Sequence, residues 1–444
     1  MQKYKFVPIF HQFNILFIIK MNKFLTLLNF FILLNIYSLD IKPNNSFNDT
    51  NIYKNKIFKK EIKTLICKKN NTNLSQPIIN LNSNEKLSVS FDDLEADVKD
   101  YYYTIIHCNR DWRKSNLLKT EYINGFEENR IENFEFSFNT IQKYTHYNFE
   151  FPNDNIAPII SGNYIFEIFD ENKETIAHVR FLIIDHKVSI KAEVRKATLA
   201  NVRNTKHEID FTIKHPNINV SDPFSEIQVV IKQNNQEHNP ITNIKPIFIK
   251  ENTLIYDYED ENTFYANNEF RYFDIRSLRY KSERVKNIYF KNNKNHIELF
   301  NEYERKFNPY SIQVDINGQF FINSQEAWDS SIESDYAYVY FSLIKEINHE
   351  EIYIVGDFTN WEINNQYKLS YNNHKYETVL YLKQGYYNYL FGIVKDNGKL
   401  NMENIEGSHY ETRNDYHIYV YYRPIGEVYD QLIGFLKTSS KNLF

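Results

Sequence analysis

The sequence predicts an all-β protein of tandem immunoglobulin-like β-sandwich domains, and three observations carry that prediction. Aromatic residues make up 16% of the 444 positions, with 35 Tyr and 35 Phe, and flat rings suit a pleated, half-buried surface. Short apolar–polar alternations recur along the chain with turn signals between them. The helical period is not sustained over any convincing length. With only 10 Gly and 11 Pro, the turns must rely on Asn and Asp, which tolerate left-handed backbone.

Taken in order, residues 1–40 read as a targeting segment. Lys20 and Lys23 precede an apolar run over 24–38, and a polar start follows at Asp40. This is the layout of a secretory signal peptide, with Met21 a candidate true start. The run is interrupted by Asn29 and Asn35 and is short for a membrane span.

A first sandwich is expected over 61–185. Its strands begin at 62–67. Leu87, Val89 and Phe91 then alternate with Ser88 and Ser90, and an apolar run covers 101–106. Phe134, Phe136 and Phe138 alternate again, as do Tyr147, Phe149 and Phe151 before Pro152, and strands at 164–169 and 178–184 close the set. A second sandwich is expected over 186–325, from alternations at 188–194, 207–213, 226–231, 254–257, 269–275 and 286–290. A third unit spans 326–424, and the tail at 425–444 carries one short amphipathic helix at 426–436.

The net charge of −5 argues against a general nucleic-acid binder, which shows a basic domain or stripe. One stretch, 271–294, holds eight basic residues against Asp274 and Glu283. It is either a row of outward-facing strand positions or a docking face for an acidic partner. Cys67 and Cys108 are the only cysteines. They either pair in an oxidising compartment or remain as two thiols.

The densest polar cluster is His-Cys-Asn-Arg-Asp-Trp at 107–112. As chemistry it offers a nucleophile, a base and a carboxylate in six residues. Strand geometry works against that reading, because His107 and Cys108 are neighbours and must point to opposite faces. Metal-ligand spacings such as CxxC, HxH or HExxH are absent from the sequence, so neither catalysis nor a cofactor or metal is expected. The structural reading places Cys108 with Ile106 on one apolar face. Asn109, Arg110 and Asp111 make the turn, and Trp112 folds back as an anchor.

That cluster is followed by Glu-Tyr-Ile-Asn-Gly-Phe at 121–126, Ser-Phe-Asn-Thr at 137–140 and Tyr-Thr-His-Tyr at 144–147. Phe-Pro-Asn at 151–153, Ser-Gly-Asn-Tyr at 161–164 and the run at 411–424 complete the series. In that order, the motifs resemble the plug protein family of the type IX secretion system of Bacteroidetes. The resemblance implies a periplasmic, non-enzymatic binding protein. It would sit at the inner face of the outer membrane, on the periplasmic mouth of the outer-membrane type IX translocon barrel (SprA-type), and seal it when no substrate is engaged. His107, Cys108, Asp111 and Trp112 are then family-signature residues with a structural role.

A second motif, Gly-Asp-Phe-Thr-Asn-Trp at 356–361, precedes Gly-Tyr-Tyr-Asn-Tyr-Leu-Phe at 385–391. Together they resemble the early-set, glycogen-binding modules of carbohydrate-active enzymes. There, exposed Trp rings stack on sugars and a Lys bonds their hydroxyls. Here Leu390 stands in place of that Lys, and Tyr376 in place of a second Trp. Phe358 and Trp361 therefore either pack the sandwich edge, bind a glycan, or contact a protein partner. A carbohydrate-binding protein using Trp361 is the alternative function.

Overall fold

The computed structural model describes residues 52–440, apart from 71, 347–349 and 396–397. The signal-peptide expectation lies outside the described residues. Within them, the fold is all-β sandwich, with isolated single-turn helices.

The first sandwich follows its sequence pattern. One sheet orders Ile62–Lys69, Leu87–Asp93, Thr145–Phe151 and Asn133–Phe136 as antiparallel neighbours. The facing sheet is built on Thr175–Ile184, Gly162–Asp170 and Tyr101–Cys108. Leu87, Val89 and Phe91 all point into the core between the sheets, as strict alternation requires.

The second and third sandwiches depart from the expected boundaries. Ile227–Gln233 pairs along its whole length with Asp415–Tyr422, which pairs in turn with Gln431–Ser439. The C-terminal strands thus complete the sandwich begun by Ser189–Lys196 and Lys206–Lys214, and the helix expected at 426–436 is replaced by a strand. Arg271–Asp274 pairs with Gly385–Val394, and Lys294–Leu299 runs parallel to Tyr336–Ile344. Residues 271–299 therefore belong to the third sandwich rather than to the second. Its insertion between two halves of the second sandwich is invisible to local pattern, since the pairing partners are far apart in sequence.

Tyrosine dominates the largest fully buried side chains. A buried Tyr supplies a large apolar ring and needs one polar partner. Tyr103 Oη accepts a bond from Asn153 Nδ2 at 2.8 Å, and Tyr387 Oη donates to the Lys383 carbonyl at 2.5 Å.

Several strands are buried on both faces because their two faces serve different cores. On Tyr101–Cys108, Tyr101, Tyr103 and Ile105 enter the first sandwich core. Ile106 and Cys108 join Ile165 and Leu182 in a separate cluster with Val230, Tyr419, Tyr421 and Leu432 of the second sandwich. A sheet covered on both sides loses its exposed alternation, which explains the unbroken burial of residues 103–108.

Candidate functional site

The cluster at 107–112 forms the joint between the first and second sandwiches. The chain leaves Tyr101–Cys108 and turns back at once: Trp112 N–H donates to the Asn109 carbonyl at 2.8 Å, and Asn109 N–H to the Arg113 carbonyl at 2.9 Å. Trp112 adopts a left-handed backbone (φ 64°), uncommon for a bulky residue. This folds its indole back into the inter-sandwich cluster, where it is 9% exposed.

The Arg180 guanidinium lies 4.2 Å from the indole centroid, within cation–π range. Arg180 also bonds Glu237 at 2.7 Å, and Lys232 reaches the same carboxylate at 2.6 Å. Burial alone would raise the Glu237 pKa, but Lys232 and Arg180 outweigh it and pull it to about 2. At the turn itself, Asp430 accepts from Arg110 N–H at 2.9 Å and from Arg423 Nε at 2.9 Å. Asn109 Oδ1 accepts from Arg423 Nη2 at 3.0 Å. Tyr421 Oη donates across the joint to Asn163 Oδ1 at 2.9 Å. Asp111 stays at the surface, paired with Arg113.

His107 points the other way. Its Nδ1 lies 2.9 Å from Ser115 Oγ, and its ring packs edge-on to Tyr164 and Tyr429. Gly162 (φ 153°) makes room for it: a Cβ there would sit 2.3 Å from the imidazole Nε2. Burial lowers the His107 pKa to about 4 and pushes the Cys108 thiol up to about 12. The imidazole and the thiol thus occupy different cores, on opposite faces of one strand, and do not form a nucleophile–base pair. Both cysteines are free thiols.

A second joint, to which the motif at 144–147 contributes His146, ties the first sandwich to the third. Asp92 is fully buried and 291 residues from its partner Lys383, whose Nζ lies 2.6 Å away. Tyr336 Oη donates to the same carboxylate at 2.6 Å, and His146 Nδ1 lies 2.7 Å from its other oxygen. Burial would raise the Asp92 pKa, but Lys383 and His146 hold it below the usual carboxylate range. Lys383 Nζ also donates to the Ser331 carbonyl at 2.7 Å. Asp335 accepts from the Ile141 and Gln142 N–H groups at 2.7 and 3.0 Å, reinforcing the same joint.

Trp361 is interior, which corrects its reading as a glycan or partner contact, and Phe358 is half-buried. Trp361 is 4% exposed, packed with Phe270, Val355, Leu390 and Met402, and close to Gly318. Phe358 packs on the third core beside Phe273 and Tyr387. A ring already covered on its faces has none left to stack on a sugar. The basic stretch at 271–294 also divides. Arg271 is buried between Glu302 and Glu406, Arg276 pairs with Asp274, and Lys294 bonds Gln142. Arg279, Lys281, Lys286 and Lys291 remain exposed.

Asp93, Glu95 and Asp97 come close enough together to resemble a cation site. The Lys99 ammonium already fills it, 2.8 Å from Asp93 and 3.6 Å from Asp97. Among the described residues, no helix is long and apolar enough to cross a membrane.

The sequence profile described as "Type 9 secretion system plug protein 1st domain" matches residues 62–185. That interval is the first sandwich, with the 107–112 turn at its joint. The fold also matches the crystal structure of a hypothetical protein from Parabacteroides merdae, at 32% identity and a TM-score of 0.85. The match covers 87% of this chain and 99% of that one. This chain belongs to the type IX secretion plug family. No curated protein matches it. Membership gives the chain a role in type IX secretion, and the family and the all-β fold together point to a structural, non-catalytic part in it.

Proposed function

We propose that the protein is a periplasmic plug. It docks on the periplasmic mouth of the outer-membrane type IX translocon barrel and seals it while no substrate is engaged. The observation that carries this reading is the pair of joints at Trp112 and Asp92, in a chain whose first sandwich matches the plug family. Sealing a wide pore demands a preorganised body, because every loose hinge adds ordering cost on docking. Three sandwiches on a flexible string would meet that demand poorly. Here the first sandwich is fixed to the second by an apolar cluster and to the third by a buried ion pair.

The test is affinity isolation of the tagged protein from detergent-solubilised outer membranes. The translocon barrel is expected among the recovered proteins at near-stoichiometric yield. Recovery of the tagged protein without any such barrel would overturn the reading.

A further inference from the structure

The first sandwich ends in an unpaired edge. Asn133–Phe136 pairs with Thr145–Phe151 on one side and, among the described residues, with no strand on the other. Phe134 lies opposite Tyr147, and their rings are 5.8 Å apart. Directly paired residues share a face, so Phe134 and Phe136 extend the core face beyond the point where the opposite sheet covers it. Phe134 is 38% exposed and Phe136 54%. Natural sheets protect such edges with charge, Pro, bulges or a covering segment. This one is short and carries Glu135, yet it also presents aromatic rings.

Trp328 adjoins that edge. Phe138 N–H donates to the Ile332 carbonyl at 2.9 Å, docking the end of the edge on the short helix Ser330–Glu333, which Trp328 precedes by two residues. Trp328 is 100% exposed. A fully exposed Trp on the segment that docks an edge of exposed Phe rings is the composition of an interface anchor rather than of a solvated surface. The rim is acidic. Glu132, Glu135 and Asp329 are exposed, and none has a salt-bridge partner among the described residues, although Asp329 also caps the Ser330–Glu333 helix by accepting from Ser331 N–H at 2.8 Å. Two basic side chains lie nearby along the chain: Arg130, two residues before Glu132 and paired with Asp100, and Lys143 in the adjoining hairpin.

We propose that this edge receives an extended segment of the translocon barrel, one whose side chains alternate between apolar and basic. The segment adds as a further strand beside Asn133–Phe136. Its apolar side chains cover Phe134, Phe136 and Trp328, and its Lys or Arg side chains meet Glu132, Glu135 and Asp329. Strand addition draws affinity from main-chain hydrogen bonds and specificity from alternate side chains. The proposal rests on the plug reading.

The test compares barrel recovery from detergent-solubilised outer membranes by tagged wild type, Trp328→Asp/Phe136→Asp, Glu132→Lys/Glu135→Lys and Phe307→Asp. Phe307 is 92% exposed and lies on the third sandwich, so its variant is the control. The aromatic double variant is expected to recover about tenfold less barrel, as loss of central anchors does. The charge-reversed variant is expected to recover about threefold less at low salt, with the gap closing as salt rises. Phe307→Asp should match wild type. Unchanged melting temperatures would show that each variant is folded. If wild type recovers the barrel and the aromatic double variant recovers it equally well, the docking edge is wrong and the plug reading stands. If wild type recovers no barrel, both fall. If purified wild type self-associates and the aromatic variant abolishes only that, the occupant is a second copy and the assignment to the barrel is overturned.

Discussion

The joints at Trp112 and Asp92 fix the same sandwich to two different neighbours by different physics. At Trp112, the contact is an apolar cluster of Ile106, Cys108, Leu182, Tyr419 and Leu432, roofed by Arg180 and rimmed by the Arg180–Glu237–Lys232 ion pairs. At Asp92, it is a carboxylate taken out of water and compensated by Lys383, Tyr336 and His146. Burying apolar area is favourable in almost any arrangement. A buried ion pair gains little over a well-packed apolar pair, but it penalises every arrangement in which one charge is left alone. The first joint therefore supplies most of the adhesion, with its rim of ion pairs adding orientation, whereas the second fixes the orientation of the third sandwich through charge.

The largest effect is expected from Asp92→Ala, which leaves the Lys383 ammonium buried without its counter-ion. Loss of one partner of such a pair costs about 3–5 kcal/mol, readable as a shift in the urea midpoint. The double variant Asp92→Leu/Lys383→Met should recover most of that stability, since no charge remains stranded. A double variant as unstable as the single one would show that hydrogen bonding rather than charge pairing dominates there. Next comes Trp112→Ala, expected to cost about 3 kcal/mol through the cavity it leaves. A cost under about 1 kcal/mol would demote the turn from joint to ornament.

A pH series separates the charged groups from the apolar ones. The Glu237 pKa is lowered to about 2, against about 4.3 for an unperturbed Glu. A depressed carboxylate contributes stability that is complete above its unfolded value and lost as pH falls through its folded value. The protein should therefore lose stability between about pH 4 and pH 2, and the lowered Asp92 pKa acts in the same direction. Glu237→Gln should flatten that fall, measured as melting temperature against pH. An identical slope in the variant would remove Glu237 from the account. The smallest effect belongs to Asp111→Ala. Its pair with Arg113 is nearly half exposed on both sides, and such pairs contribute roughly 0–1 kcal/mol.

The same contrast marks what can be read in the sequence. The strands of the first sandwich are legible because one face is buried and the other is not, so Leu87, Val89 and Phe91 alternate visibly. The turn at 107–112 is legible as a motif, because its residues are consecutive. Its role as a joint is not, because Arg180, Lys232 and Tyr419 come from other segments. Nothing local marks Asp92 or Lys383, whose meaning arises only when 291 residues of chain bring them together. The C-terminal strand Gln431–Ser439 was open to a helical reading because a short apolar run fits either period. Pairing with Asp415–Tyr422 decides it. Trp361 misleads for a related reason: the motif sets its local turn, whereas its cover by Phe270 comes from the segment leading into Arg271–Asp274, some 90 positions upstream.

The central claim is that a rigid body seals a pore. It is tested most directly by outer-membrane permeability to a large antibiotic in a strain lacking this protein. The account predicts that deletion raises uptake, that wild type restores the barrier, and that Asp92→Ala restores it only in part. Unchanged uptake in the deletion strain, with secretion intact, would contradict it.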